Sequence, residues 1–222
     1  MEKLLWDISV ILAIIILHLV LRKRIGLLLI RLLYGKYSRK YIERFKKLTR
    51  TNPFPYCLKA EIYSQLHIFR QRRGVADTYT AEGISAFENH PFGTEFMTFL
   101  KKEHRPYCYN IVMLSDHEIR IAGYRREKFG FEALARFYFL DGRFFMGDYF
   151  YKKSPAIDPE SISRNVLKEF GISESQGENE FFIQSKHCTV YFGDNGFDVQ
   201  VKFLENDNKI INGLLNAASG TP

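Results

Sequence analysis

Leu4 to Leu21 reads LLWDISVILAIIILHLVL, and Arg22-Lys23-Arg24 follows at once. Only Asp7, Ser9 and His18 interrupt this apolar run. As a helix it is about 27 Å long at ~1.5 Å per residue, close to the ~30 Å hydrocarbon core of a bilayer. The run reads as a single-pass membrane anchor over residues 1–24. Asp7 and His18 lie near its two ends, where a polar group reaches headgroups, and Trp6 suits an interface. Extending the span beyond Leu21 would place three cations in hydrocarbon at roughly 3 kcal/mol each. A cleaved signal peptide fits less well, because Lys3 is the whole basic n-region and no small-x-small site follows the run. An uncleaved signal-anchor is expected.

Charge sets the expected orientation. Residues 22–50 hold eleven cations against Glu43 alone. Under the positive-inside rule this excess puts the carboxy-terminal body in the cytoplasm. Of the formal charge of +7, residues 22–50 contribute +10 and residues 1–21 contribute −1, which leaves −2 for residues 51–222. The cations are thus confined to one segment and the body is slightly acidic. That distribution argues against nucleic acid and for anionic lipid headgroups, at ~1 kcal/mol per cation near the surface. Arg22, Lys23, Arg24, Arg31, Lys36, Arg39 and Lys40 are the expected membrane-surface residues. Another protein is the expected second partner. The three cysteines, Cys57, Cys108 and Cys188, are odd in number and lack a CxxC, so a disulfide framework is not indicated.

Residues 25–52 are expected to form a basic helical arm. Tyr34, Tyr37, Tyr41, Phe45 and Leu48 recur at three- and four-residue spacing with Lys and Arg between them. Such a stripe can lie at a headgroup boundary or pack on the following domain. Asn52-Pro53-Phe54-Pro55 breaks the helix, and residues 53–222 form the body.

The body starts with a helix over about Cys57–Arg72, whose face is Leu58, Ile62, Leu66 and Phe69 and whose terminator is Gly74. Residues 75–91 give no clear period, Thr78–Ala81 suiting either a turn or a short strand, and a helix over about Gly93–Glu103 ends before Pro106. Residues 107–114, 118–124, 133–140 and 143–151 then read as strands, with Asp141-Gly142 as a two-residue hairpin turn. Asp158-Pro159 opens a helix closed by Gly171. Residues 173–180 read as a polar loop. Strands over 181–184, 187–192 and 197–204 follow, the last with Asp198, Gln200 and Lys202 on a wet face, and a short helix ends the chain near Ile210–Leu215. The class is α+β: an N-terminal transmembrane helix and basic arm, then a mostly antiparallel sheet of about six strands with helices against one face.

Nucleotide loops, zincin, nucleophile-elbow and EF-hand motifs are not found, and no catalytic, cofactor or metal residue is assigned. Asp116-His117-Glu118 suits a hairpin tip, and alternation sends His187 and Cys188 apart. Arg125, Arg126 and Lys128 at a strand end could bind an anion or blunt an edge. Asp148 beside Gly147 could face a pocket or the polar face of the sheet, and Gly147 suggests a bulge or a close backbone approach. Three functions remain compatible: a non-catalytic interaction or assembly module on a membrane, a tethered enzyme with a dispersed site, or a small-ligand or lipid binder.

Overall fold

The computed structural model describes residues 2–57, 62–71, 77–172 and 179–217. The chain divides into two compact units, Met1–Phe54 and Pro55–Pro222. In the first unit, helix α1 (Glu2–Tyr34) runs unbroken through Arg22-Lys23-Arg24. Cations do not end a helix; a glycine at positive φ does. Gly35 has φ 78° and donates its amide to the Arg31 carbonyl at 2.9 Å. Ser38 then caps helix α2 (Arg39–Thr49) by accepting from the Tyr41 amide at 3.2 Å. On α2, Tyr41, Ile42, Phe45 and Leu48 are half-buried, while Arg39, Lys40, Arg44, Lys46 and Lys47 are exposed.

This geometry corrects the expected anchor. Among the described residues no helix is long and apolar enough to cross a membrane. Fourteen residues separate Asp7 from Arg22, about 21 Å of helix at ~1.5 Å per residue against a ~30 Å core. The single-pass assignment therefore falls, and with it the cytoplasmic placement that the span was to orient.

The second unit contains helices α3 (Ile62–Gln71), α4 (Phe96–Glu103), α5 (Pro159–Glu169) and α6 (Lys209–Ala217). Its strands are β1 (Asp77–Thr80), β2 (Ala86–Phe87), β3 (His90–Pro91), β4 (Cys108–Leu114) and β5 (His117–Lys128), then β6 (Phe131–Leu140), β7 (Arg143–Lys152), β8 (Glu180–Gln184), β9 (Cys188–Asp194) and β10 (Asp198–Glu205). Eight of them form one sheet in the order β1-β8-β9-β10-β7-β6-β5-β4, and β2 and β3 form a separate small hairpin. The sheet thus has eight strands, not about six, and it is mixed: β1 pairs parallel with β8. β1 lies in the stretch without clear period. Its four residues are too few to show one, and its partner is about a hundred residues away.

Helices cover both faces rather than one. Ile62, Leu66 and Phe69 of α3 and Ile211 of α6 join Ile119, Ile121, Tyr138, Met146, Tyr191 and Leu204 on the first face. The expected Leu58 contact and the Gly74 terminator lie outside the described residues, as does most of the 173–180 loop. On the second face Phe137 is fully buried, with ring centroids 4.7 Å from Phe99 of α4 and 5.0 Å from Phe87 of the small hairpin. Each such aromatic pair adds about 0.5–1.5 kcal/mol beyond its buried area. Phe87 sits on bare backbone: a Cβ on Gly147 would meet its ring at 2.3 Å. Gly147 is therefore a close approach and not the bulge. In α5 the Asp158 carboxylate accepts from the Glu160 amide at 3.1 Å, with Pro159 in the first turn.

The bulge lies two residues earlier. From the Leu140↔Arg143 turn, a regular ladder would set Arg136 opposite Gly147. The register shifts between Tyr138 and Phe139, so that Phe145 is the surplus residue and Arg136 stands opposite Asp148.

A disulfide joins Cys57 to Cys108 with Cα atoms 5.1 Å apart, against the expectation of none. Fifty-one positions separate the two cysteines, and the odd one out, Cys188, is buried and free. Gly123, the β5 partner of Cys108, leaves room for the sulfurs; a Cβ there would meet the two Sγ atoms at 2.4 and 2.9 Å. Disulfide stabilisation grows with loop length and is typically 2–4 kcal/mol. Reduction, or Cys108→Ala, is expected to lower the unfolding free energy by about that amount in urea titrations. Gly123→Ala should destabilise the oxidised protein and cost distinctly less in the Cys108→Ala background. Equal costs in both backgrounds would mean that the glycine is not there for the sulfurs.

Candidate functional site

Cross-strand partners share a face, so register alone lines up one lateral row across the first face. Cys108 pairs with Gly123, Gly123 with Arg136, Arg136 with Asp148, and Asp148 with Lys202. Lys202 then pairs with Tyr191, and Tyr191 with Phe182. Three consecutive strands at the middle of the sheet thus place a cation, an anion and a cation side by side.

All three are buried: Arg136 is 3 % exposed, Asp148 and Lys202 0 %. Arg136 grips Asp148 with both arms of its fork, Nε to Oδ1 at 2.7 Å and Nη2 to Oδ2 at 2.6 Å. Its Nη1 donates to the Cys57 carbonyl at 3.4 Å. The disulfide-linked segment is thereby fastened to the row twice. The Tyr138 hydroxyl donates to Asp148 Oδ2 at 3.1 Å. Lys202 Nζ stands 3.9 Å from the same oxygen and donates to the Gln65 side-chain carbonyl from α3. The Arg136 guanidinium carbon is 4.7 Å from the centre of the Phe150 ring.

The electrostatics follow from burial and pairing. Burial pushes the Arg136 guanidinium down, but the Asp148 carboxylate more than reverses this and holds it above its ordinary value. Burial pushes Lys202 down to about 8; Asp148 opposes the shift and Arg136 adds to it. Burial raises the Tyr138 phenol, which stays protonated as a donor. Asp148 offsets one cation fully, and the second ammonium carries the uncompensated cost. The cavity floored by Leu134 and Phe150 and the one between residues 80–85 and 184–187 are not lined by Arg136, Asp148 or Lys202.

The residues expected to bind an anion do not converge. Arg125 pairs with Glu132 at 3.0 Å, Arg126 with Glu103, and Lys128 with Glu169 at 2.6 Å, so each is already engaged by a different carboxylate. The expected membrane-surface cations all lie in the first unit, with Arg22, Lys23, Arg24, Arg31, Arg39 and Lys40 exposed and Lys36 half-buried. Three histidines pair with distant carboxylates: His90 with Glu103 and His187 with Asp207, each at 2.8 Å, and His117 with Asp141 at 2.6 Å. Burial works against the Asp141 carboxylate, but hydrogen bonds from His117 and the Glu118 amide hold it below its ordinary range. Cys188 is buried beside the half-exposed His187, and burial pushes its thiol up and out of reactive range. Among the described residues no three His, Cys, Asp or Glu side chains gather as a metal site.

Sequence reasoning missed Lys202, which the alternation of Phe197–Leu204 had put on a wet face; it is buried because α3 lies over it. A signal was present for its two partners: Arg136 and Asp148 each interrupt a run of aromatic and aliphatic residues, whereas Lys202 shares β10 with Asp198, Gln200 and Glu205. Comparison with family models, with curated proteins and with solved structures finds no match to this chain.

The folded Lys202 pKa lies below its unfolded value, so between about pH 8 and 10.5 the folded state binds fewer protons. In that window stability due to this group rises with pH; below it the full cost of the buried ammonium is present. Wild type minus Lys202→Met should therefore rise by on the order of 2 kcal/mol between pH 8 and 10 in chemical denaturation. A flat difference would mean that the amine is not held in a depressed state. Asp148→Asn leaves Arg136 buried and unpaired and should cost about 3–5 kcal/mol.

Proposed function

We propose that this chain is a non-catalytic interaction module, with Met1–Phe54 as its contact arm and anionic lipid headgroups as the arm's partner. The observation that carries the reading is the separation of chemistry along this unit. Helix α1 exposes large apolar side chains around its circumference, among them Trp6, Ile11, Leu12, Leu32 and Leu33, each more than half exposed. Helix α2 follows with an exposed cationic face and Glu43 as its one acidic residue. Lys36 and Lys40 lie over the rings of Tyr37 and Tyr34, at 4.9 and 4.2 Å. A surface both apolar and anionic is the complement of such an arm.

What supports a positioning role for the second unit is that its poised lysine is sealed in the core. The exposed apolar length of α1 also favours a second reading, in which the arm docks on another protein.

Flotation of the full chain with vesicles separates the two readings. Binding should be strong with phosphatidylglycerol-containing vesicles, weak with pure phosphatidylcholine, and weaker as salt rises. Replacing Lys36, Arg39, Lys40, Arg44, Lys46 and Lys47 with Gln should weaken it at least about a hundredfold, at ~1 kcal/mol per cation. Equal binding of wild type and the Gln variant to both vesicle types would overturn the headgroup reading. No binding to either would favour a protein partner.

A further inference from the structure

The second unit has an open cavity of about 550 Å³ where the β5–β6 turn meets the segment between β7 and α5. Ligand sites are typically ~300–1,000 Å³. The floor is Leu134 and Phe150, cross-strand partners one step along the first face from the Arg136–Asp148 pair. Phe131, Ala156 and Ile157 add apolar wall. Three charged residues line the cavity: Arg125, Glu132 and Lys152.

These charges are not equivalent. Arg125 donates to Glu132 and to the Tyr107 hydroxyl, each at 3.0 Å, and its guanidinium carbon lies 4.5 Å from the centre of the Tyr107 ring. The Arg125–Glu132 couple is therefore self-satisfied and carries no net charge. Lys152 is exposed and makes no ion pair among the described residues. One uncommitted ammonium thus stands beside an aromatic floor. A cationic guest would be repelled by Lys152 and would find the only carboxylate lining the cavity already taken. A neutral apolar guest would leave the ammonium unused.

We infer that this cavity is a binding site for a small organic acid, which lays a flat apolar body on Leu134 and Phe150 and presents its carboxylate to Lys152. The Ser154 hydroxyl lines the same cavity and can serve the acid as a second donor. The role is additional to that of the contact arm and uses none of its residues.

The test uses the full chain with 2-naphthoate as the probe and 2-naphthylmethanol as its neutral counterpart, read by calorimetry and saturation-transfer NMR. A guest of about 13 non-hydrogen atoms should bind with a Kd of about 1 mM or tighter. The alcohol should bind about tenfold more weakly. Lys152→Glu should weaken naphthoate by about tenfold or more and leave the alcohol unchanged, and Lys152→Arg should retain naphthoate binding. Ala156→Trp fills the cavity and should remove both. Circular dichroism and melting curves confirm that the variants fold; Lys152 and Ala156 are exposed, so these changes spare the core. Naphthoate binding unchanged in both Lys152→Glu and Ala156→Trp would place the probe on another surface and overturn the site. Equal affinity for acid and alcohol would overturn the ligand class, and no binding at 10 mM would overturn both.

Discussion

The bidentate contact of Arg136 with Asp148 is the interaction around which the first face of the sheet is built. Two charges removed from water lose several kcal/mol each in hydration, and they persist only when the geometry is close and the remaining hydrogen-bonding capacity is filled. Here it is filled from four directions. Tyr138 serves the second lone pair of Asp148, the Cys57 carbonyl takes the spare arm of Arg136, Lys202 adds a positive charge, and Gln65 holds Lys202 from above. These groups come from β6, β7, β10, α3 and the segment before α3. A packing error in any one of them would strand a charge in the core. The cluster is costly, and the cost falls hardest on misregistered folds.

Much of this fold was legible in the sequence, and the unread parts share a physical cause. Asp141-Gly142 announced the β6–β7 hairpin, Asp158-Pro159 the start of α5, and Ile62, Leu66 and Phe69 the buried face of α3. Those are local signals, decided within a few residues. β1 was left open between a turn and a short strand over Thr78–Ala81, because its pairing is remote and its length is four. The disulfide was missed because its cysteines are 51 positions apart and only the tertiary fold brings them together. Lys202 was misplaced because alternation tells which side a residue points to but not whether a helix covers that side. Asp148 stood out beside Gly147, but as a residue facing a pocket or water rather than as half of an ion pair. The site was thus visible as two polar residues inside largely apolar strands, and invisible as a row. The anchor failed for another reason: the apolar run was measured from Leu4 to Leu21 across Asp7, while the charge-free stretch between Asp7 and Arg22 is only about 21 Å of helix at ~1.5 Å per residue.

The two units divide the chemistry between them. The arm keeps its apolar and cationic surface outside, and the body holds one row of charges, Arg136, Asp148 and Lys202, inside its core. The body's recess on Leu134 and Phe150 is an exception, because there the aromatic floor reaches the surface one step from the buried pair. Phe150 belongs to both, lining the recess and lying beside Arg136. Occupancy of the recess would therefore be felt first by the side chain nearest the charge row.

The single surplus residue at Phe145 has a consequence for how this chain can vary. The pairing of Arg136 with Asp148 fixes the difference in strand length between the turn and the pair, but not where the excess is absorbed. A chain lacking one residue between Arg143 and Gly147 would reach the same pairing through a regular ladder. A chain with one more would have to absorb two extra residues or lose the pair, since a one-residue slip turns every later side chain of β7 to the opposite face. Length variation in this hairpin should therefore be one-sided with respect to the pair: shortening by one residue keeps Arg136 opposite Asp148, at the cost of a buried side chain such as Phe145, and lengthening does not.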